Sequence, residues 1–188
     1  MRHHVFLLAA LSLGAGIPIS LPAQASTVIL VRHAEKAGET GDVDLSSAGR
    51  ARAEDLKAAL AAFPVQTILV SEYKRTLQTA EPTATALHLT PVAIPVNGKA
   101  AAQIAATAAA IRKLPAGTAA LVVGHSNTVG QIIEALGGPH LGDLCDAEYA
   151  TIFVLELSPT APPRLLRASY GVPDAPPAVA CHHTMEIK

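Results

Sequence analysis

The chain has 188 residues, a net charge of −1 and a composition that is half hydrophobic. That balance excludes a disordered or fibrous chain and fits one globular domain with a substantial core. It also lacks the basic excess of a nucleic-acid binder, and with aromatics at only 3% and no Trp the core is expected to be aliphatic.

Residues 1–25 read as a signal peptide. Arg2, His3 and His4 make a short polar start, Val5 to Leu13 is apolar, and Ala23-Gln24-Ala25 offers the small-x-small pattern of a cleavage site. Gly14, Gly16 and Pro18 interrupt the apolar part, which disfavours the alternative of an uncleaved membrane anchor. No Cys follows the run, so a lipoprotein anchor is not indicated. The expected plan is a signal over 1–25 and one domain over 26–188, periplasmic or secreted. No later segment reaches about 18 uninterrupted apolar residues, so no stable membrane insertion is expected after cleavage.

The first element of the domain is Thr27 to Val31, a β-branched, apolar run suited to a buried strand, which stops abruptly at Arg32 and His33. Ala37 to Asp44 reads as a loop. Ser46 or Ser47 then caps a helix running to about Ala62, with Leu56 and Leu60 on one face and Arg50, Arg52, Glu54, Asp55 and Lys57 at polar positions. Pro64 ends it. Gln66 to Val70 is a second strand, followed by the polar stretch Ser71 to Arg75, and Thr76 to Leu87 is helical with Pro82 expected to kink or divide it. Leu89 to Val96 is a short extended piece, Asn97-Gly98 a turn, and Ala100 to Leu114 a helix.

Ala119 to Val123 is a third strand, running into Gly124-His125-Ser126-Asn127-Thr128, where Ser126 or Asn127 caps a helix reaching Leu136. Tyr149 to Leu157 and Arg164 to Tyr170 are two further strands joined by a short connection, which suits an antiparallel pair. Strands alternating with helices predict an α/β fold, a mostly parallel sheet covered on both faces. Parallel strands place Arg32-His33, the Glu72 to Arg75 cluster and His125-Ser126 on one edge, where open α/β sheets bind ligands.

Two histidines and two arginines on one edge predict an anion site. Guanidinium groups suit bidentate recognition of phosphate, and a helix opening at Ser126 or Asn127 would add backbone N–H donors. Nearby positive charge favours the neutral form of an imidazole, which is a competent nucleophile toward phosphorus. A lone His or Arg at a strand end is more often structural, and only their coincidence changes that weighting. Glu35, Lys36, Glu72 and Lys74 read as solvated rim charges, and His88, His140, His182 and His183 as surface residues. A metal bound by His33 and His125 is the competing chemistry, disfavoured by flanking arginines that would repel a dication. Cys181-His182-His183 has no zinc-site spacing.

Cys145 and Cys181 are the only cysteines. In an oxidising compartment they are expected to pair, closing a loop of about 36 residues worth on the order of 3–4 kcal/mol; the alternative is two unrelated buried thiols.

Four segments resemble the motifs of the histidine phosphatase superfamily, the phosphoglycerate-mutase-like clan. Arg32-His33-Ala34-Glu35-Lys36 is similar to its Arg-His-Gly motif, Leu45 to Ala53 to its Leu-Ser-x-x-Gly-x-x-Gln/Arg-Ala helix start, Ser71 to Ala80 to its Ser-x-x-x-Arg-x-x-Gln-Thr-Ala segment, and Gly124 to Thr128 to its second-histidine motif. The resemblance implies a three-layer α/β/α sandwich, a phosphohistidine formed on His33, and a phosphate pocket completed by Arg32, Arg75, His125 and Ser126, with no metal or cofactor. It departs from the family in two places. The stretch His88 to Lys99, where mutases and many phosphatases carry a catalytic Glu, has no carboxylate, and Ser126 stands where the acid-phosphatase branch places an Asp. Glu35, Glu72 and Glu81 are the candidate general acids, and a substrate with a good leaving group would need none. The expected function is an exported, metal-independent phosphatase of a small phosphorylated substrate. The alternatives are a non-catalytic phosphate- or phosphosugar-binding protein and, less favoured for want of the expected insertion, a phosphomutase.

Overall fold

The computed structural model describes residues 25–176. Residues 1–24 of the expected signal peptide, with Cys181, His182 and His183, therefore lie outside the described residues. In chain order the elements are β1 (Ser26–Arg32), α1 (Ser47–Ala59), β2 (Val65–Val70), α2 (Lys74–Leu87), β3 (Val92–Ala93), α3 (Ala100–Arg112), β4 (Ala119–Gly124), α4 (Val129–Ala135), β5 (Thr151–Leu157) and β6 (Arg164–Ser169).

The six strands form one sheet in the order β3-β2-β4-β1-β5-β6. β3, β2, β4 and β1 run parallel, while β5 is antiparallel to β1 and β6 to β5. This is the expected α/β sandwich with a C-terminal antiparallel pair. Strand alternation divides the core into two layers. Val28, Leu30, Leu69 and Val122 face α3 and α4 through Ile104, Ile111, Ile132 and Ile133. Ile29, Val31, Ile68, Val70, Leu121 and Val123 face the other way, onto Leu56 and Leu60 of α1 and Ala80 and Ala84 of α2.

Three local expectations are corrected. Pro82 neither divides nor ends α2, which is a single helix from Lys74 to Leu87. Its buried residues Thr76, Thr79, Ala80, Thr83 and Ala84 straddle the proline at helical spacing, so packing on both sides outweighs one missing backbone hydrogen bond. Residues 126–127 lie in a turn, and the helix begins only at Val129 with Thr128 as its N-terminal flanking residue. Arg52 is not a solvated position of α1: it is buried, for reasons that belong to the site.

The chain reverses its direction of travel across the sheet between β1 and β4, so the crevice expected at such a switch point opens over their carboxyl ends. Arg32 pairs in register with Gly124, and His33 N–H continues the ladder by donating to the Gly124 carbonyl at 2.9 Å. His33 and His125 therefore leave the sheet side by side.

Candidate active site

The imidazole rings of His33 and His125 lie 5.4 Å apart, centroid to centroid, at an interplanar angle of 63°. Both are buried. His33 Nδ1 is 2.8 Å from the carbonyl of Ala34, an acceptor only, so Nδ1 carries the proton and Nε2 keeps its lone pair. The backbone behind it is pinned by α2: Ala34 N–H donates to Thr79 Oγ1 at 2.9 Å, and Thr79 in turn donates to the Arg75 carbonyl. α1 is pinned there too, since Ser46 N–H donates to the Glu35 carbonyl, and a Cβ on Gly49 would sit 2.2 Å from that oxygen. The Leu-Ser-x-x-Gly sequence thus caps α1 through Ser46 and lets it approach the end of β1 closely.

Arg32 is held by the loop before β5. Its Nη1 donates to the carbonyls of Cys145, Asp146 and Glu148 at 2.7, 3.0 and 3.4 Å, and its guanidinium lies 4.2 Å from the ring centroid of Tyr149. Arg75 has the same kind of support: its guanidinium lies 4.2 Å from the ring centroid of Tyr73. Tyr73 also meets His125 edge-on at 5.5 Å, and Tyr149 lies 6.3 Å from His33. Each arginine therefore has a tyrosine beneath it, and each tyrosine borders one histidine.

Electrostatics follow from this crowding. Burial pushes His33 down to about 3; the hydrogen bond to Ala34 opposes this, while His125, Arg32 and Arg75 add to it. Burial also pushes His125 down to about 4, assisted by Arg75 and Arg32 and opposed by Glu72. At neutral pH the pocket holds two guanidinium charges and two neutral imidazoles. Arg32 Nε, Arg75 Nε and His125 Nδ1 are buried with no hydrogen-bond partner among the described residues. An unpaired buried polar group costs about 1–3 kcal/mol, so the site is built to gain from an anion that can pair with it.

The three candidate acids fare differently. Glu35 is not a solvated rim charge: its Oε1 accepts from both Nε and Nη2 of Arg52 at 2.8 Å. Arg52 also donates to the Val172 carbonyl at 3.0 Å and lies 3.7 Å from Asp174, so it bridges the end of β1 to the segment after β6. Burial disfavours its charge, but the Glu35 carboxylate more than compensates and its pKa is raised. Glu72 is exposed and accepts from Val96 N–H at 2.9 Å. Burial, the largest single effect, raises its pKa, but backbone hydrogen bonds from Val96, Glu72 and Asn97, with His125 nearby, together bring the net shift downward. Glu81 is exposed on the outer face of α2, lining a groove with Arg50 and Lys57 of α1. Among the described residues, no three His, Cys, Asp or Glu side chains converge as a metal site.

Ser126 is half-buried beside His125, and its carbonyl accepts from Leu144 N–H at 3.0 Å. The N–H groups of Thr128 and Val129 turn back onto the His125 carbonyl at 3.1 Å, so the expected helix-end donors are spent locally. Tyr73 and Tyr149 are site residues that the sequence did not mark, and Ser71 and Arg52 stand in the matched motifs without a role read for them. The chain has only three tyrosines, which was the available signal for the first two.

A parallel α/β sheet with a histidine at the end of each of two adjacent strands, joined by a helix-borne arginine, is the arrangement of the histidine phosphatases. The family model for the histidine phosphatase superfamily (branch 1) matches residues 28–96, the part of the chain that carries β1, α1, β2 and α2. Solved structures agree on the fold. The protein histidine phosphatase SixA complexed with tungstate is 20% identical, covers 76% of this chain and 96% of its own, and superposes with a TM-score of 0.56. An Agrobacterium tumefaciens protein assigned as the phosphohistidine phosphatase SixA is 22% identical over 78% and 98% of the two chains, with a TM-score of 0.56. A mycobacterial glucosyl-3-phosphoglycerate phosphatase complexed with VO3 is 16% identical over 74% and 96%, with a TM-score of 0.57. No curated protein matches the sequence.

Proposed function

We propose that the protein is an exported, metal-independent phosphatase acting on a small phosphorylated substrate through a phosphohistidine at His33. The observation that carries this reading is the hydrogen bond from His33 Nδ1–H to the Ala34 carbonyl, which leaves a neutral Nε2 lone pair beside two guanidinium groups. Nε2 attacks phosphorus, the bond to the leaving group breaks with its electron pair, and a P–N bond forms. Water then attacks the phosphoryl group, the P–N bond breaks, and phosphate is released. Arg32, Arg75 and His125 offset charge on the transferring oxygens in both steps.

Each carboxylate nearest in sequence has one oxygen engaged elsewhere, Glu35 Oε1 by Arg52 and Glu72 Oε2 by the N–H of Val96, while Glu35 Oε2 is buried with no partner among the described residues. This favours a substrate whose leaving group departs without a strong acid, such as a phosphoramidate, an anhydride or an aryl phosphate. The fold relatives named for phosphohistidine support the same preference. The same commitment of the carboxylates also suits a phosphate-binding protein that does not turn over. Export rests on the sequence of residues 1–25, and a Cys145–Cys181 bridge belongs to the same reading. Hydrolysis of p-nitrophenyl phosphate by the purified protein in excess chelator, abolished by His33→Ala, is the expected result. Phosphate binding without turnover would instead establish the binding protein.

A further inference from the structure

The two histidines are oriented through opposite nitrogens. His33 uses Nδ1 for its backbone partner, whereas His125 uses Nε2, which lies 3.0 Å from Ser71 Oγ. Ser71 and Thr76 are fully buried, and Ser71 Oγ is also 2.9 Å from Thr76 Oγ1. Thr76 has acceptors for its own proton besides Ser71, since its Oγ1 has the Tyr73 carbonyl at 2.8 Å and the Ser71 carbonyl at 3.1 Å, and carbonyls only accept. The single proton of Ser71 therefore has two possible acceptors, Thr76 Oγ1 and His125 Nε2. If it goes to Thr76, His125 must hold its proton on Nε2 and turn a bare Nδ1 lone pair on the remaining direction. If it goes to His125, Nδ1 carries the proton and becomes a donor. Nδ1 is buried with no partner among the described residues.

Resting on the phosphatase reading, we propose that Ser71 donates to His125 Nε2 when an anion occupies the pocket, fixing the Nδ1–H tautomer and making His125 a neutral hydrogen-bond donor. Ser71 is thus a positioning residue that acts through His125. A lone pair directed at phosphoryl oxygens would be repulsive, while an N–H there is the charge-stabilising donor the site requires. The proton count closes: Thr76 gives its proton to a backbone carbonyl, Ser71 gives its proton to Nε2, and His125 keeps one proton on Nδ1. In the pocket without an anion, burial and the two arginines hold His125 neutral, so only one ring nitrogen can donate and the choice of nitrogen matters. The pair of histidines then divides the work: His33 offers the lone pair of Nε2 and His125 the proton of Nδ1.

The test is nitrogen-15 NMR of the histidine rings in the full-length protein, with and without inorganic phosphate, alongside kinetics of Ser71→Ala and Ser71→Cys. Expected with phosphate bound are a protonated Nδ1 on both His33 and His125. Ser71→Ala should bring a mixed or Nε2–H tautomer at His125 and a fall in kcat/KM of about tenfold, with the His33 tautomer unchanged. Ser71→Cys, which keeps a weak donor in the same volume, should fall between. An Nε2–H signal from His125 in the phosphate complex of the wild type would overturn the inference while leaving the phosphatase reading intact. Phosphate that perturbs neither ring would remove the pocket reading and the inference with it. Since the wild-type spectrum alone decides the tautomer, a variant that fails to fold does not obscure the answer.

Discussion

Glu35, two residues after His33, places one carboxylate oxygen 2.8 Å from both Nε and Nη2 of Arg52. Glu35 is therefore a brace for the end of β1, and a buried pair broken from one side leaves the other charge uncompensated. Glu35→Ala is expected to destabilise the fold by about 3 kcal/mol. Its effect on turnover of an aryl phosphate, measured below the new melting transition, should be small. A melting temperature unchanged from wild type together with a selective loss of activity on alkyl phosphates would instead make Glu35 the general acid.

The pH dependence follows from the two depressed histidines. Their folded-state values, about 3 and about 4, lie below the ordinary 6.5. Between about 6.5 and those values the unfolded chain binds protons that the native state does not. The stability contributed by neutral burial is thus complete above about pH 6.5 and is lost as pH falls through that window. Melting temperatures should decline steadily from pH 6.5 to 4, and His33→Ala should flatten the decline. Once ionisation of the substrate is allowed for, the enzyme's own acid limb in kcat/KM should lie below pH 5.

Leaving-group dependence is expected to be steep. With Glu35 and Glu72 tied to Arg52 and Val96, an alkyl phosphate finds no free carboxylic acid among these candidates. Acetyl phosphate, phosphoramidate and p-nitrophenyl phosphate should therefore exceed glycerol phosphate in kcat/KM by at least about a hundredfold, the size of a typical acid-catalytic contribution. Equal rates across the series would point to a proton donor within the pocket.

The stacked tyrosines give a comparison of face against hydroxyl. Tyr73→Phe keeps the ring under Arg75 and against His125, and phosphate binding should be nearly unchanged. Tyr73→Ala removes both contacts, and binding should weaken by about tenfold, given 1–2 kcal/mol for a desolvated cation–π pair. Tyr149→Phe loses only a 3.4 Å contact between its hydroxyl and Arg32 Nη2, so it too should be mild beside Tyr149→Ala. Isothermal titration with inorganic phosphate measures all four.

Much of this site was legible because strand ends announce themselves. Thr27 to Val31 and Ala119 to Val123 are unbroken apolar runs, and the histidines that follow them have nowhere to go but the edge. Arg52 stands in a matched motif, but its burial and its partners were not legible. Helical spacing places it among charged neighbours, and its partners Glu35, Val172 and Asp174 are distant in sequence. Pro82 misled for a related reason, since local propensity takes no account of the buried threonines and alanines that hold α2 together. The start of α4 was misplaced because Thr128 Oγ1 accepts from His125 N–H, closing a turn where Ser126 or Asn127 seemed the better cap. Ser71 opens a matched motif, but its role is silent in sequence: a serine at the end of a strand is usually wet, and only α2 folding over it through Thr76 makes it a buried partner of His125.

The central claim is a covalent phosphohistidine on His33. Rapid acid-free quench of the full-length protein with a radiolabelled aryl phosphate, followed by peptide mapping, measures it directly. The account predicts a burst of label approaching one per chain, acid-labile and base-stable, carried by the peptide containing His33 and absent from His33→Ala. Turnover of the same substrate without any labelled protein under single-turnover conditions, or label on His125 instead, would contradict it.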